Sequence, residues 1–213
     1  MPADTATLRD FEALYQRVLT SGGEVDYGLA APRWQFLCFL ADNKEVLLHG
    51  SGNPAISRFE PRKSDDVSEF GDRKAVYAAG DGIWPIYFAI LDRERHPMSL
   101  INSAMRIADG EENGDSYYFF SISDTALAMR PFRRGWVYLL PRASFELQAP
   151  IRHEGHEVRV PQWASLESVA PIARLAVGPE DFPFLDQLRG HDDDSTFARA
   201  RANPDGFPWL DER

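Results

Sequence analysis

The spacing of apolar residues near the start of the chain predicts an amphipathic helix over residues 5–21. Large apolar side chains recur at intervals of three, four and three positions, at Leu8, Phe11, Tyr15 and Val18. These intervals match one face of an α-helix. Thr7 and Asp10 have the spacing of a capping box, and the glycines at 22 and 23 favour an end to the helix there.

Two further helices are predicted from composition. Residues 32–42 begin with Pro32, which suits a first helical position, and continue as a largely apolar run. This run predicts a mostly buried helix. The run over residues 81–91 predicts a third helix. Pro85 is compatible with it, because proline is tolerated near the first turn of a helix.

Most of the remaining chain has the pattern of short strands joined by turns. Apolar or alternating runs of strand length occupy residues 45–52, 74–79, 99–107, 116–122, 135–141, 157–163 and 169–177. The polar segment 111–115 is typical of a hairpin tip. Helices followed by many strands predict an α+β fold, with a split, mainly antiparallel β-sheet core and N-terminal helices.

The chain shows no internal repeat and no composition shift that would separate two domains. We therefore expect one α+β domain over residues 1–190, with a helical N-terminal part over residues 1–44. Few apolar residues follow His191 before Phe207, so residues 191–213 are predicted to form a C-terminal arm.

Net charge limits the expected partners. A formal charge of −10 and a pI near 5.0 disfavour nucleic acid and anionic membranes, so neither is an expected partner. The single cysteine, Cys38, lies in an apolar run and fits a reducing compartment. The chain has neither a signal-peptide pattern nor an apolar run of membrane-spanning length, and we expect a cytoplasmic protein.

Two predicted strands end on residues that suit ligand binding. One ends on the tripeptide His49-Gly50-Ser51, and the other carries Tyr77 before two alanines and a glycine. Glycine beside each motif lets the backbone come close to a flat ligand. Phe88 follows Tyr77 by 11 positions in the third predicted helix.

These residues resemble the motifs of the ADP-ribosyltransferase superfamily, in its diphtheria-toxin and poly(ADP-ribose) polymerase branch. That branch has a His-Gly-Ser/Thr strand end, then a strand with a tyrosine, then a helix with a second aromatic residue. The resemblance extends from His49 to Phe88, which is 40 of the 213 residues. Tyr87 is an alternative to Phe88, because Trp84-Pro85 departs from the family pattern before the second aromatic.

The resemblance implies NAD as substrate and the transfer of ADP-ribose to an unknown acceptor, which can be a protein, or the hydrolysis of NAD. It implies that His49 contacts the ribose and that Gly50 and Ser51 hold the carboxamide. Tyr77 and Phe88 would sandwich the nicotinamide ring.

Arg62 is a candidate contact for the pyrophosphate, because a guanidinium offers a planar fork of hydrogen-bond donors. It lies in the polar connection over residues 52–73, which in the superfamily helps to cover the cofactor. The alternative interpretation is a solvated loop arginine.

The superfamily also has a catalytic glutamate at the start of a later strand. The best strand context here, residues 160–165, offers Gln162 in that place. We therefore assign Gln162 to the catalytic set with His49 and Tyr77. The carboxylates with poorer sequence context are Glu146, Glu157 and Glu167. An amide can hydrogen-bond a ribose hydroxyl, but it supplies no negative charge.

Two classes of function follow from these residues. The first is an NAD-consuming transferase or glycohydrolase, which His49 and Tyr77 favour. The second is a non-catalytic domain that binds a nucleotide or a protein, which the missing glutamate favours. No metal site is predicted, because His153 and His156 fit a polar hairpin loop and the aspartates at 192–194 fit a solvated turn.

Overall fold

The computed structural model describes residues 4–64, 68–107, 116–153, 155–203 and 206–210. The protein has the α+β class predicted from the sequence, with N-terminal helices and two mixed, mostly antiparallel sheets. Within the described residues, no helix combines the length and the apolar character that crossing a bilayer requires.

The helices form close to where the sequence patterns place them. Their bounds are α1 Thr5–Ser21, α2 Arg33–Asn43, α3 Trp84–Ile90, α4 Asp124–Ala128 and α5 Asp193–Ala202. The cap of α1 differs from the prediction, since Asp4 rather than Thr7 is the N-cap. The Asp4 carboxylate accepts a hydrogen bond from the Thr7 amide at 2.8 Å, and this bond lowers the pKa of Asp4. Gly22 ends the helix at a φ of 61°, a conformation that glycine adopts without strain.

The strands are short and pair over long sequence separations. Their bounds are β1 Gly23–Glu24, β2 Val46–Ser51, β3 Arg62–Lys63, β4 Lys74–Ala79, β5 Leu100–Ile107, β6 Ser116–Ser123, β7 Gly135–Pro141, β8 Glu146–Leu147, β9 Ile151–His153, β10 His156–Arg159, β11 Gln162–Ser165, β12 Ala173–Val177 and β13 Arg189–His191. One sheet has the order β1-β12-β7-β2-β4-β11-β8, with β3 paired to β4. The other has the order β13-β6-β5-β10-β9.

The chain divides into two compact units. The first comprises Met1–Leu91, Arg133–Leu147 and Pro161–Pro183, and the second comprises Asp92–Phe132, Gln148–Val160 and Phe184–Arg213. The chain passes from one unit to the other and back. The sequence predicted one domain over residues 1–190 and did not anticipate these two units. Whether they act as one domain stays a prediction.

The first unit holds the longer sheet and helices α1 to α3. Helix α3 lies against β2 and β7 at two glycines. A β-carbon on Gly50 would overlap the carbonyl oxygen of Pro85, and one on Gly135 would overlap that of Ala89. The absence of side chains at these two positions therefore lets the helix backbone approach the sheet closely.

The second unit is built on the hairpin of β5 and β6, which pair in antiparallel register from Leu100–Ile122 to Arg106–Ser116. This confirms the two strands predicted on either side of the turn, while the tip at 111–115 lies outside the described residues. The region predicted as a C-terminal arm contains regular structure. β13 pairs with β6 in parallel, and α5 follows it directly.

Candidate functional site

Three neighbouring strands carry the residues assigned to catalysis. His49 lies on β2, Tyr77 on β4 and Gln162 on β11, and these strands are consecutive in the sheet. Leu48 stands opposite Ala79, and Ala79 stands opposite Gln162. His49 and Tyr77 therefore lie on adjacent, antiparallel strands.

The His49 ring bridges the two strands. Its Nδ1 lies 2.7 Å from the carbonyl oxygen of Tyr77. A carbonyl oxygen only accepts hydrogen bonds, so Nδ1 carries the proton and, in the neutral ring, Nε2 is the atom with the lone pair. The ring also packs against Phe59, with centroids 4.7 Å apart. These two contacts fix both the orientation and the tautomer of the imidazole.

Tyr77 is held by the turn that precedes its strand. Its hydroxyl lies 2.9 Å from the carbonyl oxygen of Phe70 and 3.0 Å from that of Arg73, and these two acceptors share its single proton. The Phe70 and Tyr77 rings meet edge to face at 6.5 Å. The phenol is therefore oriented by backbone acceptors and an aromatic neighbour.

Strand alternation separates the His49 ring from the Tyr77 ring. Val76 and Ala78 belong to a buried apolar cluster that includes Phe59, the residue that packs on His49. Tyr77 lies between Val76 and Ala78, so its side chain leaves the opposite face of the strand. The His49 imidazole therefore reaches the backbone of Tyr77 rather than its phenol, and the two side chains leave opposite faces of the sheet.

The rest of the tripeptide lies at the junction of β2 and α3. Gly50 contacts the helix at Pro85, as described above. Ser51 Oγ accepts a hydrogen bond from the Asn53 amide at 3.1 Å, so the hydroxyl closes a local turn. Phe88 is half-buried, whereas Tyr87 is 0% exposed. The exposure of the two rings favours Phe88 over Tyr87 as a ligand contact.

Arg62 belongs to a short strand rather than to a loop. It stands opposite Ala75 on β4, and its side chain is exposed. Residues directly opposite on paired strands share a face, and Ala75 and Tyr77 are two positions apart. The register therefore places Arg62 on the same face as the Tyr77 ring.

Gln162 and one of the alternative glutamates, Glu146, both lie on the face of the sheet that carries the Tyr77 ring. Gln162 and Tyr77 share a face, since Gln162 pairs with Ala79 and Ala164 pairs with Tyr77. Glu146 stands opposite Ala164 on the next strand, in the same row as Tyr77. Its carboxylate pairs with Arg73 at 3.1 Å and is 68% exposed.

The other two alternative glutamates lie elsewhere. Glu167 is exposed just beyond the end of β11, and its backbone amide bonds to the Ser165 hydroxyl at 3.2 Å. Glu157 belongs to the second unit, where it accepts hydrogen bonds from Arg159 at 3.1 and 3.2 Å.

Two side chains near the site were not assigned from the sequence. The guanidinium of Arg133 lies against Gly52, directly after the tripeptide, where a β-carbon would overlap it. Glu146 was rated below Gln162, although the strand register brings it into the row of Tyr77. Both placements depend on non-local strand pairing. In the part of the chain that the structure describes, no cluster of three or more histidine, cysteine or acidic residues has the arrangement of a metal site.

Comparison with known proteins identifies no relative. No protein-family model, no curated protein and no solved structure matches this chain. The function therefore has to be argued from the geometry of the residues themselves.

Proposed function

We propose that the first unit binds NAD and acts as an ADP-ribosyltransferase-like protein with low turnover. The observation that carries the proposal is the arrangement of β2, β4 and β11. The strands that carry His49, Tyr77 and Gln162 are consecutive in one sheet, which supports a common origin for the three sequence matches. Chance matches to short motifs carry no such constraint on strand order.

The tautomer of His49 supports a contact with a ribose. Because Nδ1 donates to the Tyr77 carbonyl, Nε2 of the neutral ring acts as an acceptor, which is the role that a contact with a ribose hydroxyl requires. An imidazole fixed by a backbone acceptor and by Phe59 is pre-organised for that contact. Pre-organisation reduces the entropy lost when a ligand binds.

Phe88 supplies aromatic surface for the nicotinamide ring, and Arg133, which packs beside the tripeptide, supplies a guanidinium group for the pyrophosphate. Guanidinium groups suit phosphate oxygens because they present several donors in one plane. Tyr77 and Arg62 share the opposite face of the sheet from the His49 ring, so the proposal does not assign them to the same ligand.

Low turnover is proposed because the position with the best sequence context holds an amide and lies on the opposite face of the sheet from the His49 ring. Cleavage of the bond between nicotinamide and ribose develops positive charge on the ribose, and a carboxylate stabilises that charge. Gln162 offers a neutral oxygen instead. The same observation favours the second candidate, a non-catalytic domain that binds a nucleotide without cleaving it.

Incubation with NAD tests the proposal, with nicotinamide measured by chromatography and NAD affinity by calorimetry. We expect binding, slow release of nicotinamide, and much weaker binding by His49→Ala. The matched control is His156→Ala, which removes an exposed histidine of the second unit. It should bind NAD like the wild type.

The outcomes separate the candidates. Binding without nicotinamide release assigns the protein to the non-catalytic class. Absence of NAD binding by the wild type, or equal binding by the wild type and His49→Ala, overturns the proposed site.

A further inference from the structure

The indole N–H of Trp136, on β7, is an enclosed hydrogen-bond donor on the face of the sheet that carries the His49 ring. In the part of the chain that the structure describes, its Nε1 is shielded from solvent and has no hydrogen-bond partner. Burying an N–H without an acceptor costs free energy, and such groups are uncommon in native proteins unless water or a ligand meets them. The indole therefore indicates a contact that the protein alone does not make.

The strand register places this indole beside the tripeptide. Trp136 stands directly opposite Ser51, and Tyr138 stands directly opposite His49. Residues directly opposite each other share a face of the sheet, and so do residues two apart on one strand. His49 and Trp136 are therefore diagonal neighbours, whose backbones in such a pair lie about 7–8 Å apart, within reach of two ring side chains.

The packing contacts agree with this register. Trp136 is half-buried and packs against the apolar cluster that contains Tyr138 and Phe59. Phe59 is also the residue that contacts the His49 ring, and its own ring meets that of Tyr138 edge to face at 5.2 Å. The imidazole of His49 and the indole of Trp136 therefore border the same apolar surface.

The side chain of Gln162, the position that the family motif uses for a further ribose contact, leaves the sheet on the opposite face from His49. Trp136 offers a polar group on the face of His49 instead. It is opposite in kind to a carboxylate, because an indole N–H donates a hydrogen bond and accepts none. The indole can therefore bind a ligand oxygen, but it cannot stabilise positive charge on the ligand.

We propose that the Trp136 indole N–H donates a hydrogen bond to a hydroxyl oxygen of the ribose that His49 contacts, so that the two side chains together recognise the ribose diol. The inference rests on the proposed NAD site and adds one residue to it. One hydroxyl of the diol donates to Nε2 of His49, and an oxygen of the diol accepts from Nε1 of Trp136. A neutral donor favours the bound substrate over a positively charged transition state, which agrees with the low turnover proposed above.

Because Nε1 is enclosed, a ligand reaches it only after a local rearrangement of the residues that cross this face. Residues 53–59 cross it, since Ile56 packs against the same apolar cluster as Trp136. The Tyr138 hydroxyl holds this segment, because it donates to the carbonyl oxygen of Asn53 at 2.6 Å and accepts from the Ile56 amide at 3.2 Å. Binding of the ribose should therefore change the surroundings of the Trp136 indole and of the Ile56 amide together.

Calorimetry with NAD and with analogues that lack the 2′- or the 3′-hydroxyl of the nicotinamide ribose tests the proposal. Trp136→Phe keeps an aromatic ring but removes the N–H. We expect it to bind NAD about tenfold more weakly than the wild type, as for the loss of one hydrogen bond, and to match the wild type within about twofold for one of the two analogues. The matched control is Trp163→Phe, because Trp163 is also half-buried against the same cluster. It should bind all three ligands like the wild type, and urea unfolding checks that both variants fold.

Proton NMR of the wild type supplies a second readout that does not depend on the folding of a variant. We expect NAD to move the indole N–H resonance of Trp136 downfield and to shift the amide resonance of Ile56. An indole resonance that NAD leaves in place overturns the inference. So does a Trp136→Phe variant that binds NAD like the wild type, or one that loses equal affinity for NAD and for both analogues. In these cases the proposed NAD site stands if His49→Ala still weakens binding, whereas absence of NAD binding by the wild type overturns the site and the inference together.

Discussion

His49 in the first unit and His191 in the second are both fixed by hydrogen bonds, but they differ in exposure and in the groups that contact their ring nitrogens. His49 is partly exposed, and a backbone carbonyl oxygen accepts from its Nδ1. His191 is fully enclosed, and serine hydroxyls contact both of its ring nitrogens. The two residues therefore represent two uses of the same side chain within one protein.

The comparison teaches that burial and the second ring nitrogen decide what a histidine can do. A ring that is oriented by a carbonyl and remains partly exposed is suited to receive a ligand. A ring enclosed by hydroxyls at both nitrogens is suited to hold segments together. Changing each histidine, or the groups around it, tests this distinction.

The largest expected effect concerns the missing carboxylate at Gln162. Gln162→Glu introduces negative charge on the face that carries Tyr77. One pre-organised electrostatic contact in an active site is typically worth about 2.7–4 kcal/mol, or roughly 100- to 1000-fold in rate. We expect nicotinamide release from NAD to increase within that range. Chromatography of nicotinamide at saturating NAD measures it.

Gln162→Ala is the matched control for this gain, and we expect it to leave slow release slow. A Gln162→Glu variant that is no faster than the wild type, while its NAD affinity is retained, would show that Gln162 does not occupy the catalytic position.

The sequence predicts local structure better than it predicts these sites, because the sites depend on distant pairing. The apolar stripe that includes Phe11 correctly predicted α1, and the strand-like composition around Tyr118 correctly predicted β6. His191 was assigned to the start of an arm, because its partners Ser99 and Ser121 are 92 and 70 positions away. No local pattern carries contacts of that separation.

The second expected effect compares the two histidines directly. His191→Ala leaves a cavity and removes one hydrogen-bond partner from each of two serine hydroxyls, so we expect a loss of about 3 kcal/mol in the free energy of unfolding. His49→Ala removes a ring that is partly exposed and one hydrogen bond, and it should cost about 1 kcal/mol or less. Urea unfolding followed by circular dichroism measures both. Equal losses would remove the distinction between the two histidines.

A smaller effect is expected at the glycine beside His49. Gly50→Ala places a methyl group against the Pro85 carbonyl, so α3 must shift or β2 must bend. Overpacking of this kind costs about 1–3 kcal/mol. The control is Gly28→Ala, since a β-carbon there meets no atom within 4 Å. We expect Gly50→Ala to lower both the urea midpoint and NAD affinity, and Gly28→Ala to change neither. An unchanged midpoint in Gly50→Ala would contradict the close contact of α3 with β2.

The smallest effect is expected at Glu146, the carboxylate that the strand register places in the row of Tyr77. Its ion pair with Arg73 is exposed, and such pairs contribute about 0–1 kcal/mol. Glu146→Gln should therefore change stability little and leave nicotinamide release within about twofold, a difference of roughly 0.4 kcal/mol in activation free energy. Glu45→Gln is the matched control, because Glu45 forms a similar exposed pair with Arg142 in the same unit. If Glu146→Gln abolishes release while Glu45→Gln and Gln162→Ala do not, the catalytic carboxylate is Glu146. The row Tyr77–Ala164–Glu146 would then define the reactive face, with Arg73 orienting its carboxylate.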